Sequence, residues 1–278
     1  MGNTIEEWTA IPVPEPSPRT STGPAAVLSI FNQKGGVGKT TSTISIAAAL
    51  AEYGRKVLVV DFDPQGSLTV GLTGNHEIFP TIYDVLLGNA QVTDALLKTR
   101  VPGVDLLPAG IDLSSAEIQL VNEVGREFTL SRCLAPLLPQ YDYILIDCLP
   151  SLGLLAINAL ATSSGLLIPL QCEFYALKGI GLLEETLEKV QLRINPSISI
   201  KGILPTMVSR SLHHREVLER VIESFGDLVF HASIPDTIKI SDATMAAQPI
   251  TVYASSSPAA LAYRKVAAEL IQRIEATA

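Results

Sequence analysis

The run Phe31-Asn-Gln-Lys-Gly-Gly-Val-Gly-Lys-Thr-Thr41 restricts this chain more than any other segment. Gly35, Gly36 and Gly38 let the backbone curl so that successive N–H groups point inward. The run follows a short apolar strand, Ala26–Asn32, and opens a helical pattern over Thr40–Tyr53, with Ile44, Ala47, Ala48 and Ala51 on one face and Gly54 at its end. A strand, a glycine curl and a helix N-terminus together make an anion site. Lys34, Gly35, Gly36, Val37, Gly38, Lys39, Thr40 and Thr41 are therefore the residues expected around a nucleotide's phosphates. Lys39 is placed to reach the β- and γ-phosphates, and the Thr40 hydroxyl to ligate Mg²⁺.

The rest of the chain repeats the strand–helix alternation. Val57–Asp61 and Tyr143–Asp147 are apolar runs that each end in a carboxylate, and Val104–Leu107, Gly165–Leu170 and Ile198–Leu204 read as further strands. Helices are expected over 81–88, 114–139 (in one or two pieces), 152–162, 176–192, 213–225 and 258–275. This order predicts a doubly wound, mostly parallel sheet with helices on both faces. Ligands of such sheets sit at the carboxyl ends of the strands, where Asp61 and Asp147 converge. A hydrophobic content of 47% with only 5% aromatics suits a parallel sheet buried on both sides. Residues 26–278 read as one domain. Residues 1–25, with five prolines among Ser and Thr, read as a flexible tail that leaves Trp8 in solvent; a partner anchor is the alternative for that residue.

Three motifs carry a resemblance to a known family. The Lys-Gly-Gly-x-Gly-Lys-Thr order beginning at Lys34 resembles the deviant Walker A loop of the ParA/MinD superfamily of P-loop ATPases. Asp61-Phe-Asp63-Pro-Gln-Gly66 resembles the switch I motif of the ParA/Soj partition ATPases, and MinD-type sequences carry a different run there. Tyr143-Ile-Leu-Ile-Asp147-Cys-Leu-Pro-Ser-Leu-Gly153 resembles Walker B and switch II, with Leu149 in place of a family proline. The resemblance implies ATP and Mg²⁺ as ligands and Lys34 as the signature lysine that reaches the partner's phosphates in a nucleotide-sandwich homodimer. It implies Asp63 as the residue that orients the attacking water, with Thr40, Asp63 and Asp147 around the metal. Met207 and Pro235, in looser matches to family loops, are candidates for adenine contacts, with plain packing as the alternative.

The same resemblance implies a slow, partner-stimulated ATPase that partitions chromosomes or plasmids or positions intracellular cargo. Its ATP dimer would bind nonspecific double-stranded DNA, and a ParB-like or cargo-adaptor protein would trigger release. A net charge of −8 excludes a chain coated in positive charge, so DNA contact needs a local patch. Arg210, Arg215, Lys239 and Arg264 are the candidates; Asp236 stands where relatives carry an arginine. Two alternatives share the loop. A membrane-cycling MinD-like factor would need a basic amphipathic helix, but 258–275 mixes both charge signs and reads as core-packing. A nitrogenase-iron-protein-like reductase would need cysteines that bridge a cluster across the dimer; Cys133 and Cys148 are the candidates by position, but Cys148 stands in the Asp-Cys context that the partition ATPases share. No apolar leader or spanning segment is visible, which predicts a cytoplasmic protein, nucleoid-associated with ATP, and no membrane partner.

Overall fold

The computed structural model describes residues 5–18, 23–173, 176–209 and 211–276. Its strands are β1 (Ala26–Ile30), β2 (Val57–Phe62), β3 (Leu97–Lys98), β4 (Val104–Leu107), β5 (Tyr143–Cys148), β6 (Gly165–Gln171) and β7 (Ser199–Thr206). Its helices are α1 (Ile5–Ala10), α2 (Lys39–Glu52), α3 (Ser67–Thr73), α4 (Ile82–Leu86), α5 (Ala116–Gln119), α6 (Thr129–Leu134), α7 (Leu154–Thr162), α8 (Ala176–Arg193), α9 (Leu212–Phe225), α10 (Ile238–Met245), α11 (Ile250–Tyr253) and α12 (Pro258–Glu275).

The strands form one sheet in the order β3-β4-β2-β5-β1-β6-β7, parallel except for the two-residue edge strand β3. Alternate residues of each strand feed two cores. Val27, Phe31, Leu58, Val60 and Phe62 face a layer that holds α4, α6, α7, α8 and α9. Leu28, Ile30, Val57 and Val59 face the layer of α2, α3, α10, α11 and α12. Burial on both sides explains why the strands read as unbroken apolar runs rather than alternating ones. The expected doubly wound sheet is thus the observed one. The neighbouring strands β2 and β5 pair Asp61 with Asp147 in register, so the two carboxylates emerge side by side.

Two sequence expectations give way to the structure. The 114–139 region is not one or two long helices but short α5 and α6 joined by 3₁₀ turns. Gly125 (φ 67°) turns the chain between them, and Pro136 confines the stretch after α6 to a single 3₁₀ turn. The described part of the amino-terminal segment is not a free tail either. Trp8 is only 3% exposed and joins the core, because α1 lays it against the sheet edge beside α9.

Candidate functional site

The phosphate loop has the geometry its glycines predict. Gly36 and Gly38 take positive φ (74° and 84°), and no described atom lies closer than 3.9 Å to a Cβ placed on Gly38. The requirement at that position is therefore conformational rather than spatial. Gly38 caps α2 without a side-chain bond, and the first turn holds no acidic residue, so the helix N-terminus is left to an outside anion. The Thr206 hydroxyl at the end of β7 donates to the Val37 carbonyl (2.9 Å) and pins the loop. The Lys39 ammonium arches back to the Lys34 carbonyl (3.0 Å). Burial holds its pKa below the ordinary lysine value, against the opposing pull of Asp147 and Asp63.

The carboxylates divide their work. Asp61 is fully buried and accepts from the Thr69 N–H (2.8 Å) and hydroxyl (2.7 Å), while its other oxygen accepts from the Asp63 N–H. Burial pushes its pKa up to about 6 despite those bonds. It holds the loop that presents Asp63, whose own side chain is part-exposed and accepts from the Gln65 N–H (2.9 Å). Asp147 is buried, with one oxygen near the Thr43 hydroxyl (3.2 Å) and the Thr40 hydroxyl also bonded to it. Burial and the adjacent Asp61 charge push its pKa to about 8. Its second oxygen, Oδ2, is buried without a hydrogen-bond partner. An orphaned carboxylate oxygen beside a Thr hydroxyl at the foot of a phosphate loop fits a magnesium ion, which takes few protein ligands and completes its shell with phosphate and water.

Met207 and Pro235 come together with Gly38, Thr41, Thr206, Ile234 and Tyr263 around one small cleft beside the loop. Met207 adopts φ 53°, a left-handed conformation uncommon for a side chain with a Cβ, held by the bonds that zip Val208 to Ile234 and Asp236. The Lys34 side chain lies outside its own phosphate loop. Its ammonium donates to Gln171 (3.0 Å) and pairs with Glu173 (2.5 Å), about half exposed, and it draws the Glu173 carboxyl below the usual range.

The DNA candidates do not share one fate. Arg210 lies outside the described residues. Arg215 and Lys239 are exposed in the first turns of α9 and α10. Arg264 is not available to a phosphate backbone: its guanidinium is engaged by Glu52, Ser255 and the Thr251 carbonyl. The apolar face of α12, with Val266 and Leu270 at 0% exposure, is buried against α2, so the core-packing reading of that helix holds. Cys148 is buried and Cys133 and Cys148 donate to the Val85 and Ile146 carbonyls, an arrangement of ordinary packed thiols. Sequence reasoning missed Thr43, Thr69, Thr206 and Tyr263. Only Thr43 left a trace, three residues after Thr40 and so on the same helical face.

A doubly wound sheet whose first strand runs through a glycine curl into Lys39 and Thr40, with aspartates at two adjoining strand ends, defines a P-loop nucleoside triphosphatase. Residues 25–200 match the AAA domain family. An uncharacterised protein of Mycobacterium tuberculosis is 54% identical over 94% of this chain and 83% of its own length. The chromosome-partitioning ATPase Soj of Treponema pallidum is 45% identical over 88% of this chain and 97% of its own. A Mycobacterium smegmatis structure described as cobyrinic acid a,c-diamide synthase with bound ATP analog and magnesium superposes with a TM-score of 0.80 at 40% identity, covering 91% of this chain and 97% of that one. The chain belongs to the ParA/Soj-type partition ATPases of the ParA/MinD superfamily, enzymes that hydrolyse ATP with magnesium.

Proposed function

We propose that this chain is an ATP-driven dimerising switch that binds nonspecific DNA when closed and lets go when a ParB-like or cargo-adaptor partner stimulates hydrolysis. The observation that carries the reading is the position of Lys34. Its ammonium sits on the rim of the site, held by Gln171 and Glu173 rather than by its own loop, where a second copy can receive it. The segments that follow β4 and β5 also expose Ile111, Ile118, Val124 and Leu152 at 67, 77, 95 and 40%, apolar side chains that a second copy of the chain would cover.

In this reading the loop amides, Lys39 and the α2 N-terminus bind the triphosphate, Met207 and Pro235 flank adenine, and Thr40 and Asp147 hold magnesium, which neutralises charge on the phosphates. Asp63, part-exposed and loosely held, orients the attacking water. Sizing the protein with a slowly hydrolysed ATP analogue, beside a Lys34→Ala variant, tests the switch. A dimer for the first and a weakened or lost dimer for the second is expected; a monomer in both undoes the sandwich. Filter binding to random duplex DNA tests the second half. Retention with ATP and not with ADP is expected, and equal retention in both removes the DNA step.

A further inference from the structure

The amino-terminal segment is built into the same side of the molecule as the base cleft. Residues 229–235 run beside β7 as an extra stretch of parallel chain: Phe230 N–H donates to Ile203, Ile234 N–H to Pro205, and Val208 N–H to Ile234. The Trp8 indole lies over His231 on the outer rim of that stretch, ring centres 5.7 Å apart. His231 is in turn fixed through its N–H and ring to Glu269 of α12, which pairs with Arg273. Two further side chains of α12 hold the segment, Lys265 on the Thr9 carbonyl (2.7 Å) and Gln272 on the Pro14 carbonyl (3.2 Å).

Both supports of the segment lead to the nucleotide. Three residues after His231 the edge stretch becomes Ile234 and Pro235 of the base cleft, and two residues before Lys265 stands Tyr263, which lines that cleft and bonds to Ser42 of α2 (3.2 Å). The Trp8 N–H is buried with no acceptor, so the indole contributes burial and at the same time leaves a polar group unsatisfied.

We propose that Ile5–Pro18 is a strap whose docking on His231 and α12 is coupled to occupancy of the base cleft. With the strap down, the edge stretch and α12 are held in the arrangement that forms the cleft, so less ordering remains when a nucleotide enters. By linkage, a bound nucleotide favours the docked strap to the same degree. The coupling rests on the proposed seating of the base between Met207 and Pro235, and it adds a regulatory element that the sandwich dimer does not require.

Trp8 is the only tryptophan of the chain, so indole fluorescence reports on the strap alone. Acrylamide quenching of the full chain is expected to be lower with Mg²⁺ and a slowly hydrolysed ATP analogue than without nucleotide, as a modest coupling between sites requires. Calorimetry of Trp8→Ala and Lys265→Gln variants is expected to show ATP affinity weakened about three- to tenfold. Lys265→Gln keeps the indole and the core, so it answers the question even where the first variant folds poorly. If the full chain binds ATP while its quenching stays constant and Lys265→Gln binds as tightly as the parent, the strap is mere packing and the inference fails alone. A full chain that binds no ATP takes the nucleotide reading and the strap coupling down together.

Discussion

At the scale of single residues, the site depends on side chains that hold the ones engaged in chemistry. Thr69 is the clearest. Its N–H and hydroxyl both serve Asp61, and the same hydroxyl accepts from the Ala109 N–H (3.0 Å), tying β2, α3 and the end of β4 together. Thr69→Val keeps the shape and removes the hydroxyl, leaving a buried carboxylate oxygen and a buried N–H short of partners. Each such orphan costs about 1–3 kcal/mol, so denaturant melts should show a loss of about 2–5 kcal/mol; a loss under about 0.5 kcal/mol would mean that water replaces the hydroxyl. Asp63→Asn behaves differently. The amide oxygen still accepts from Gln65, so the fold and ATP binding should stay intact while single-turnover hydrolysis slows by about 100-fold or more. Unchanged turnover would move the water-positioning role elsewhere. These two aspartates also mark the limit of what the sequence discloses. The phosphate loop was legible because its amides, lysines and threonines are contiguous and their spacing is the mechanism. Thr69 and Tyr263 reach the site only through folding, and a lone threonine or tyrosine in a helical stretch carries no local sign of that.

At the scale of elements, the alternation of strands and helices was legible wherever an apolar run was buried on both sides, and it became unreadable where tertiary packing replaces local pattern. Residues 114–139 have helical composition, but Gly125 and Pro136 break them into short helices and turns that pack on α4 and α7. The proline-rich start reads as unstructured because its apolar anchors, Ile5 and Trp8, are too few to make a periodic pattern; what holds it is a surface that α9, α12 and His231 supply. The packing of α12 on the sheet leads to a sharp prediction at β7. A Cβ on Gly202 would run into the Phe230 ring, and that ring is itself backed by the Arg273 guanidinium at 4.4 Å. Gly202→Ala therefore forces the edge stretch 229–235 outward and should destabilise the protein by about 1–3 kcal/mol, the usual cost of overpacking. The variant should also blunt the nucleotide response of Trp8 fluorescence, since the displaced stretch carries both His231 and Pro235. A Gly202→Ala protein with parental stability would show that the ring moves aside freely.

At the scale of the whole molecule, charge decides what kind of DNA binding is open to this chain. With 28 acidic and 20 basic side chains the long-range field repels a polyanion, so any hold on DNA comes from a few contacts on a local patch. Arg264 is committed to Glu52 and belongs to the fold. Among the described candidates the exposed ones are Arg215 and Lys239, two per subunit, so on the proposed reading a closed dimer would make about four phosphate contacts through them. Each contact releases condensed counterions, giving a slope of about −0.9 per contact in log affinity against log salt, or about −3.6 for the dimer. Raising salt from about 50 to about 200 mM should then weaken ATP-dependent retention by about 150-fold. Lys239→Ala removes two of the four contacts, and its slope should flatten to about −1.8, with about a 12-fold loss over the same range. Arg264→Ala should lower the melting temperature and leave the slope alone, because its guanidinium is bonded to Glu52, Ser255 and Thr251. A slope near zero in the parent, or an Arg264→Ala slope that flattens as Lys239→Ala does, would show that DNA is held by another surface. A steep dependence would also suit the proposed transport cycle: a dimer held by about four screened contacts would dissociate once hydrolysis separated its halves, each keeping about two.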